Sequence, residues 1–429
     1  MTTDSSYDAI IIGGGLAGLA AATYLGRAGH RTLVLERSAR LGGRAVTQEK
    51  QGFHLNVGPH ALYAKGEGCS VLADLDVSFT GGQPTGPGRW ILDGDSAVPM
   101  PGSALGILTS GLLTIRERFD VLRVLARLSA YIREPSWQHR SIREWLATEL
   151  RHPRSRDFVG MYIRLATYCA STEQNAPAAL RQLAIALQGV WYLDHGWQTL
   201  VEGLAARAHQ HGVTIETSAG VAAVVTDDDS ALVRTTDDRI FEARTVILAT
   251  GPQLAARLVN GGAAAPLVAW AASARPIQAA CLDIGLSSLP NPRGTFVLGL
   301  RDPYYLSVHT PAARLAPAGG AVIHVARYLG ENDPPEVESH LEALLDRFQP
   351  GWHDRVVTKR FLPRISVTEA GLDARGERPG PAVPGLPRLF VAGDWVGAEG
   401  MLVDASLASA RHAAELANHS LAGSSLSVA

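Results

Sequence analysis

Residues 7–36, YDAIIIGGGLAGLAAATYLGRAGHRTLVLE, constrain the fold more than any other part of the chain. An apolar, β-branched run passes through Gly13, Gly15 and Gly18 into an alanine-rich helix, and a second apolar run, RTLVLE, ends at Glu36. Gly13 permits a tight turn, Gly15 lets backbone approach a pyrophosphate, and Gly18 lets helix and strand pack closely. The helix N-terminus, with Leu16 and Ala17 in its first turn, directs free N–H groups and a partial positive charge at the phosphates. Glu36 stands where a carboxylate accepts from ribose hydroxyls and repels a 2′-phosphate. Strand, helix, second strand and acid all fall at the spacing of a dinucleotide site. The fold class expected is α/β, with a Rossmann-like parallel sheet.

A chain of 429 residues exceeds one ordinary core and suits two domains, or one α/β domain carrying an insertion. Its formal net charge is -2, and no basic face or aromatic-interleaved Lys/Arg run points to nucleic acid. Cys69, Cys169 and Cys281 are far apart and odd in number, which suits a reducing cytoplasm and gives no disulfide framework. The opening MTTDSSYD has no basic or apolar signal region, and no apolar run reaches transmembrane length. His209 and His211 read as a solvated helix end, and no metal site is expected.

Directly after Glu36 comes RSARLGGRAVT, where Gly42 and Gly43 give flexible backbone and Arg44, with Arg37 nearby, gives a guanidinium suited to oxyanions. Two further stretches belong with it: GFHLNVGPHALY at Gly52–Tyr63, and LFVAGDWVGAEGMLVDASLASARHAAE at Leu389–Glu415. On these motifs the chain resembles the FAD-dependent superfamily of flavin amine oxidases, protoporphyrinogen oxidases and phytoene-desaturase-like enzymes, nearest the last of these. The resemblance implies a non-covalently held FAD. It implies that Gly58, Pro59, His60 and Ala61 run beside the isoalloxazine ring and that Val221 lies against the adenine through its backbone. Gly393 and Asp394 would meet the ribityl-phosphate chain, and Met401 and Leu402 would face the pyrimidine end. A final helix aimed at that edge would stabilise negative charge on the ring through its dipole. Ser406 and Ser409 fit either that contact or plain packing.

The middle of the chain continues the pattern. A helix is expected over Trp197–His211, then a strand to Glu216, a hairpin whose tip is Asp227–Asp229, and TVILATGP at Thr245–Pro252. The resemblance implies a discontinuous FAD-binding domain, residues 1–75, 196–262 and 385–420, and an α+β substrate domain, residues 76–195 and 263–384. Within the latter, residues 105–150 read as helical with a stripe of Leu112, Ile115, Phe119, Leu122, Leu125 and Leu128. A core role is favoured for that stripe; a membrane-surface helix is the alternative. Strands are expected in RPIQAACLDIGL, GTFVLGL, YYLSVHT and GGAVIHVARYL, followed by a helix in PPEVESHLEALLDRF.

Only one dinucleotide fingerprint is present, so electrons should enter from a substrate and leave to oxygen or a quinone. Amine oxidases of the superfamily usually carry a lysine near the flavin, whereas RPIQAACLDIGL has Gln278 and Lys359 lies in another strand. The leading expectation is therefore hydride transfer from a largely apolar small molecule, by CH–CH desaturation or oxidation. An amine or amino-acid oxidase is the second, expecting a charged residue for a substrate carboxylate. A non-catalytic binder like the GDP-dissociation inhibitors is the third. His60 is the candidate for moving a proton, and Tyr192, Tyr304, Tyr305 and Trp395 are candidates to line the pocket.

Overall fold

The structure is a computed structural model that describes residues 5–227, 230–330, 333, 334, 337–369, 371, 373 and 377–425. Strand Ser5–Ile12 lies at the centre of the first sheet, parallel to Thr32–Leu35 on one side and Ile240–Leu248 on the other. Thr214–Glu216 extends the sheet beyond Thr32–Leu35, and Leu389–Val391 pairs in parallel with the end of Ile240–Leu248. Parallel strands covered on both faces need continuous apolar runs, and Ile10, Ile11, Leu33, Val34, Val246 and Ile247 are fully buried. Helices Leu16–Arg27, Gln198–Gln210 and Leu402–Ser425 pack on one face, where runs of buried alanine let them approach closely. The expected antiparallel hairpin forms between Val221–Thr226 and Ala231–Thr235. Asp228 and Asp229, which were expected at its tip, lie outside the described residues.

The second sheet runs Val356–Thr368, Ile277–Leu286, Ala321–Tyr328, Tyr304–Val308, Phe296–Gly299, Arg89–Asp93, Ser96–Pro99. Its four central strands are those the sequence marks. Sequence did not reveal Arg89–Asp93, which joins parallel to Phe296–Gly299 from two hundred residues away. Register places Arg360, Asp283, His324, Ser307, Phe296 and Arg89 directly opposite one another on six successive strands. Directly opposed residues share a face of the sheet, so these six side chains lie on one face across six of its seven strands. Helix Val337–Phe348 covers the other face through Leu341, Leu344 and Leu345.

The helical layer corrects one expectation. Thr114 and Glu117 form a reciprocal cap that starts helix Ile115–Ala126. Its buried positions are Asp120, Val121 and Val124, continued by Leu128. Ile115 and Phe119, assigned to the core stripe, are 66% and 63% exposed, together with Leu105 and Leu108 on the preceding helix Ala104–Thr109. The competing signal was polar: Asp120 turns inward to accept from Arg123, Arg151 and His152, and it rotates the helix. No helix among the described residues is long and apolar enough to cross a membrane. Val121→Ala is expected to cost about 2 kcal/mol, while Phe119→Ser changes stability by less than about 0.5 kcal/mol. Thermal melts of both variants check this, and equal losses would return Phe119 to the core.

Candidate functional site

A cleft of about 780 Å³ opens at the C-terminal edge of the first sheet. A Cβ on Gly18 would sit 1.9 Å from the Gly13 carbonyl oxygen, and one on Gly13 would sit 2.5 Å from that of Ala249, so protein packing alone demands both glycines. Gly15 and Gly43 differ. A Cβ on either would meet nothing nearer than 3.9 Å, because both face the cleft. Glu36 is buried, accepting from Gly14 N at 2.7 Å and Ser38 N at 2.8 Å. Leu16, Ala17, Arg37, Gly42, Pro59, His60, Ala61, Val221, Gly393, Asp394 and Leu402 also reach the cleft. Gly18, Gly58 and Met401 do not line it: Gly18 is a packing contact, Gly58 sits under the Cys281 thiol, and buried Met401 precedes the last helix. Ser38, Gly220, Thr236, Thr250, Gly251 and Tyr168 line the cleft without having been singled out. Thr250 and Gly251 were within reach, because they follow the expected strand in TVILATGP.

Arg44 and Asp394, 350 positions apart, form an ion pair of 2.6 Å across the floor. Burial raises the cost of the Asp394 charge, but Arg44 and the Glu369 amide more than offset it and hold the carboxyl below its usual range. Its Oδ1 is buried without a hydrogen-bond partner. Arg378 donates to the carbonyls of Asp394 and Gly400, bracing the turn, and burial lowers its pKa to about 10. That turn needs a positive φ at Gly400 (61°) and at Leu402 (58°), and a bulky residue there is strained. Ser409 donates to and accepts from the Gly393 backbone, so it braces the turn, while Ser406 faces the cleft.

His60 differs from the expected proton carrier. Nδ1 lies 3.1 Å from the Gly58 carbonyl oxygen and Nε2 3.1 Å from that of Arg44, while Trp197 meets the ring edge-to-face. Burial lowers its pKa to about 4, against the pull of the two carbonyls. The ring is therefore neutral at pH 7, and it can donate to only one carbonyl at a time.

A second cavity of about 680 Å³ adjoins the cleft, and Ala61 and Tyr168 line both. Tyr168 ends helix Pro153–Thr167 with φ of 58°, a further strained residue, here where the two spaces meet. Tyr192 and Tyr305 line the second cavity as expected, and the Tyr192 hydroxyl lies 3.1 Å from Ser307 Oγ and 3.4 Å from the Tyr305 hydroxyl. Tyr304 points to the opposite core beneath Arg327, and Trp395 lines the cleft, donating to the Thr250 carbonyl. Behind Tyr305 and Ser307, His309 stacks on Tyr192, and His324 Nδ1 lies 2.7 Å from Asp283, which also accepts from Arg360.

These features define a class: a dinucleotide cleft beside a largely apolar cavity, on a parallel sheet built from distant parts of the chain. The family model for flavin-containing amine oxidoreductases matches residues 16–277, and the chain belongs to that family. The family is flavin-containing, which implies FAD as the cofactor. A 4,4'-diaponeurosporene oxygenase from Staphylococcus aureus is 24% identical over 252 residues, spanning 49% of this chain and 49% of that protein. The match thus covers about half the length of this curated relative. An oxidoreductase from Methanosarcina mazei superposes with a TM-score of 0.77 at 19% identity, covering 95% of this chain and 99% of that one. A putrescine oxidase bound to putrescine gives 0.74 at 16% identity, covering 97% and 100%. The cleft suits the cofactor the family implies: Gly15 and Gly43 leave room that protein does not use, and Asp394 Oδ1 offers a free acceptor.

Asp404, in the first turn of the last helix, is fully buried, accepts from Gly68 N, and has no partner for Oδ2. A helix N-terminus favours a carboxylate by up to about 2 kcal/mol, but burial without a cation costs several. Burial wins and raises the pKa to about 7. The folded chain then holds a proton that the unfolded chain has released, so this contribution to stability is complete below about pH 4 and lost as pH rises through about 7. Asp404→Asn is expected to remove that slope and to melt above wild type at pH 8. A pH series of melts in which the variant keeps the wild-type slope would contradict the assignment.

Proposed function

We propose that the chain dehydrogenates or oxidises a largely apolar small molecule held in the 680 Å³ cavity, with CH–CH desaturation the leading reaction. The observation that carries this is the pair of adjoining spaces. One is lined by the glycines and acids of a dinucleotide site. The other, among the described residues, has no Asp, Glu, Lys or His on its wall. A cationic amine entering it would lose water and find no carboxylate, which is costly. Lys359, the nearest sequence candidate for an amine-oxidase lysine, instead pairs with Glu338 and Glu342 on the far face of the second sheet. The 4,4'-diaponeurosporene printed in the name of the Staphylococcus aureus relative is in keeping with an apolar molecule.

Bound non-covalently in the cleft, FAD would supply the hydride acceptor, with oxygen or a quinone as the final oxidant. Glu36 would hold the adenosine ribose, while Gly13, Gly15, Gly42 and Gly43, with Ser38, Arg37 and the N-terminus of helix Leu16–Arg27, would approach the pyrophosphate. Val221 would lie along the adenine. Gly393 and Asp394 would meet the ribityl chain, and Leu402 the pyrimidine edge. Pro59 and Ala61 would run beside the ring. His60, neutral between two carbonyls, would orient backbone there and not move protons. Tyr168 and Ala61 would bound the passage where substrate meets cofactor.

The test is anaerobic mixing of the purified holoprotein with an apolar alkene precursor, or separately with putrescine, while flavin absorbance is followed before air is admitted. Bleaching by the alkene precursor alone, with slow return in air, is expected. Bleaching by the amine with rapid return and peroxide would replace this reading by an amine oxidase. Proton NMR of the His60 ring is expected to show no titration between pH 9 and 5.5, and a midpoint near the ordinary histidine value would restore it as a proton carrier.

A further inference from the structure

Removing two hydrogens from adjacent carbons sends one out as hydride, with its electron pair, to the flavin, and leaves the other to depart as a proton. That proton starts in a cavity whose described wall carries no Asp, Glu, Lys or His. What the wall does carry is a group of three hydroxyls. The Tyr192 hydroxyl lies 3.1 Å from Ser307 Oγ and 3.4 Å from the Tyr305 hydroxyl, and all three residues line the cavity. Burial pushes both phenols up, so neither keeps a negative charge and each can only pass a proton on.

Two histidines stand behind these hydroxyls, and their partners separate them. His309 stacks on Tyr192 with Nε2 3.5 Å from the Tyr305 hydroxyl, but burial holds its pKa well below the usual value. His324 is fully buried, its Nδ1 lies 2.7 Å from Asp283 Oδ1, and its Nε2 has no hydrogen-bond partner. Burial raises the cost of the Asp283 charge, but His324 and Arg360 more than offset it and hold the carboxyl below its usual range. A carboxylate only accepts, so Nδ1 carries the proton of the neutral His324 ring and Nε2 is left as a base. Ser307 stands directly opposite His324 on the neighbouring antiparallel strand, where Cβ atoms are about 5 Å apart. The Ser307 hydroxyl, turning about one bond, is thus the group between Tyr192 and the imidazole.

We propose that Tyr192 takes the substrate proton and passes it through Ser307 to His324, which Asp283 orients. As the carbon–hydrogen bond breaks, its electron pair becomes the second bond of the new double bond. The proton goes to the Tyr192 oxygen, the Tyr192 proton to Ser307 Oγ, and the Ser307 proton to His324 Nε2. Both hydroxyls are restored and an imidazolium remains beside Asp283. The groups that act on this file are Arg360 beyond Asp283, His309 and His60 near His324, and Arg89, whose field favours departure of the Tyr192 proton. Arg360 already shares Asp283, so the imidazolium adds one positive charge, and the negative charge that the hydride carries into the cleft offsets it. Tyr192 is the residue that touches substrate; Ser307, His324 and Asp283 act through it. The relay deepens, and rests on, the assignment of the cavity as the substrate site.

The test uses the FAD-loaded protein and para-nitrophenol, a small acid whose absorbance reports whether it has given up its proton, at a pH where the free probe is protonated. Nitrogen NMR of the histidine rings is recorded alongside. In the wild type the bound probe is expected to absorb as the phenolate, while the His324 Nε2 signal moves to its protonated position. In Ser307→Ala and in His324→Gln the ratio of bound phenolate to phenol is expected to fall at least about tenfold, the size of one pKa unit, with flavin content unchanged. A bound probe that stays protonated in the wild type, or an undiminished phenolate signal in Ser307→Ala, would overturn the relay and leave the cavity assignment standing. A probe that does not bind the wild type at all would overturn both.

Discussion

The site depends on one close approach. Helix Leu16–Arg27 starts so near the turn that a Cβ on Gly18 would sit 1.9 Å from the Gly13 carbonyl oxygen, and Gly13 in turn lies against Ala249, at the end of strand Ile240–Leu248. That contact brings the first strand, a strand more than two hundred residues later and the helix N-terminus to one point. Anything larger than hydrogen at Gly13 or Gly18 would separate them, and the cleft is the space that forms in front of this junction. The C-terminal strand Leu389–Val391 then adds beside Ile240–Leu248, which carries Gly393 and Asp394 to the same edge.

The polar groups around the cleft show which charges the fold tolerates. Asp394 remains ionised because Arg44 lies against it, whereas Asp404, without a cation, is pushed toward its neutral form. Asp283 is equally buried but sits between His324 and Arg360, which keep its carboxyl below the usual range. Such buried pairs contribute little net stability against an apolar core, yet removing one partner is costly. In the second sheet that sensitivity fixes register, because Asp283, His324 and Arg360 meet only when three strands align as they do.

Much of the cofactor side was legible because local rules agreed. Gly13, Gly15, Gly18 and Glu36 combine turn geometry, helix dipole and strand pattern within one thirty-residue unit, and the structure gathers nearly all of the singled-out positions into one cleft. Residues brought by tertiary pairing were not legible. Arg89 lies on a short strand with no pattern of its own, and its neighbour in the sheet, Phe296, is distant in sequence. Tyr168 and Arg378 act through a strained backbone and through carbonyl contacts, and neither feature leaves a mark in a sequence. The helical stripe failed for a definite reason: apolar period alone cannot anticipate that Asp120 turns inward to join Arg123 and His152. His60 was singled out for an ordinary histidine pKa, which burial removes against the pull of the Gly58 and Arg44 carbonyls.

The central claim is that the open glycine of the cleft, Gly15, is reserved for a cofactor and not for the fold. Gly15 has an extended backbone that any residue adopts, and its missing Cβ would touch no protein atom closer than 3.9 Å. The decisive measurement is therefore the bound FAD per chain in Gly15→Leu, set beside the melting temperature of the flavin-free protein. The account predicts a flavin-free melt close to wild type with FAD binding lost. A variant that still binds stoichiometric FAD, or one whose flavin-free form no longer folds, would contradict it.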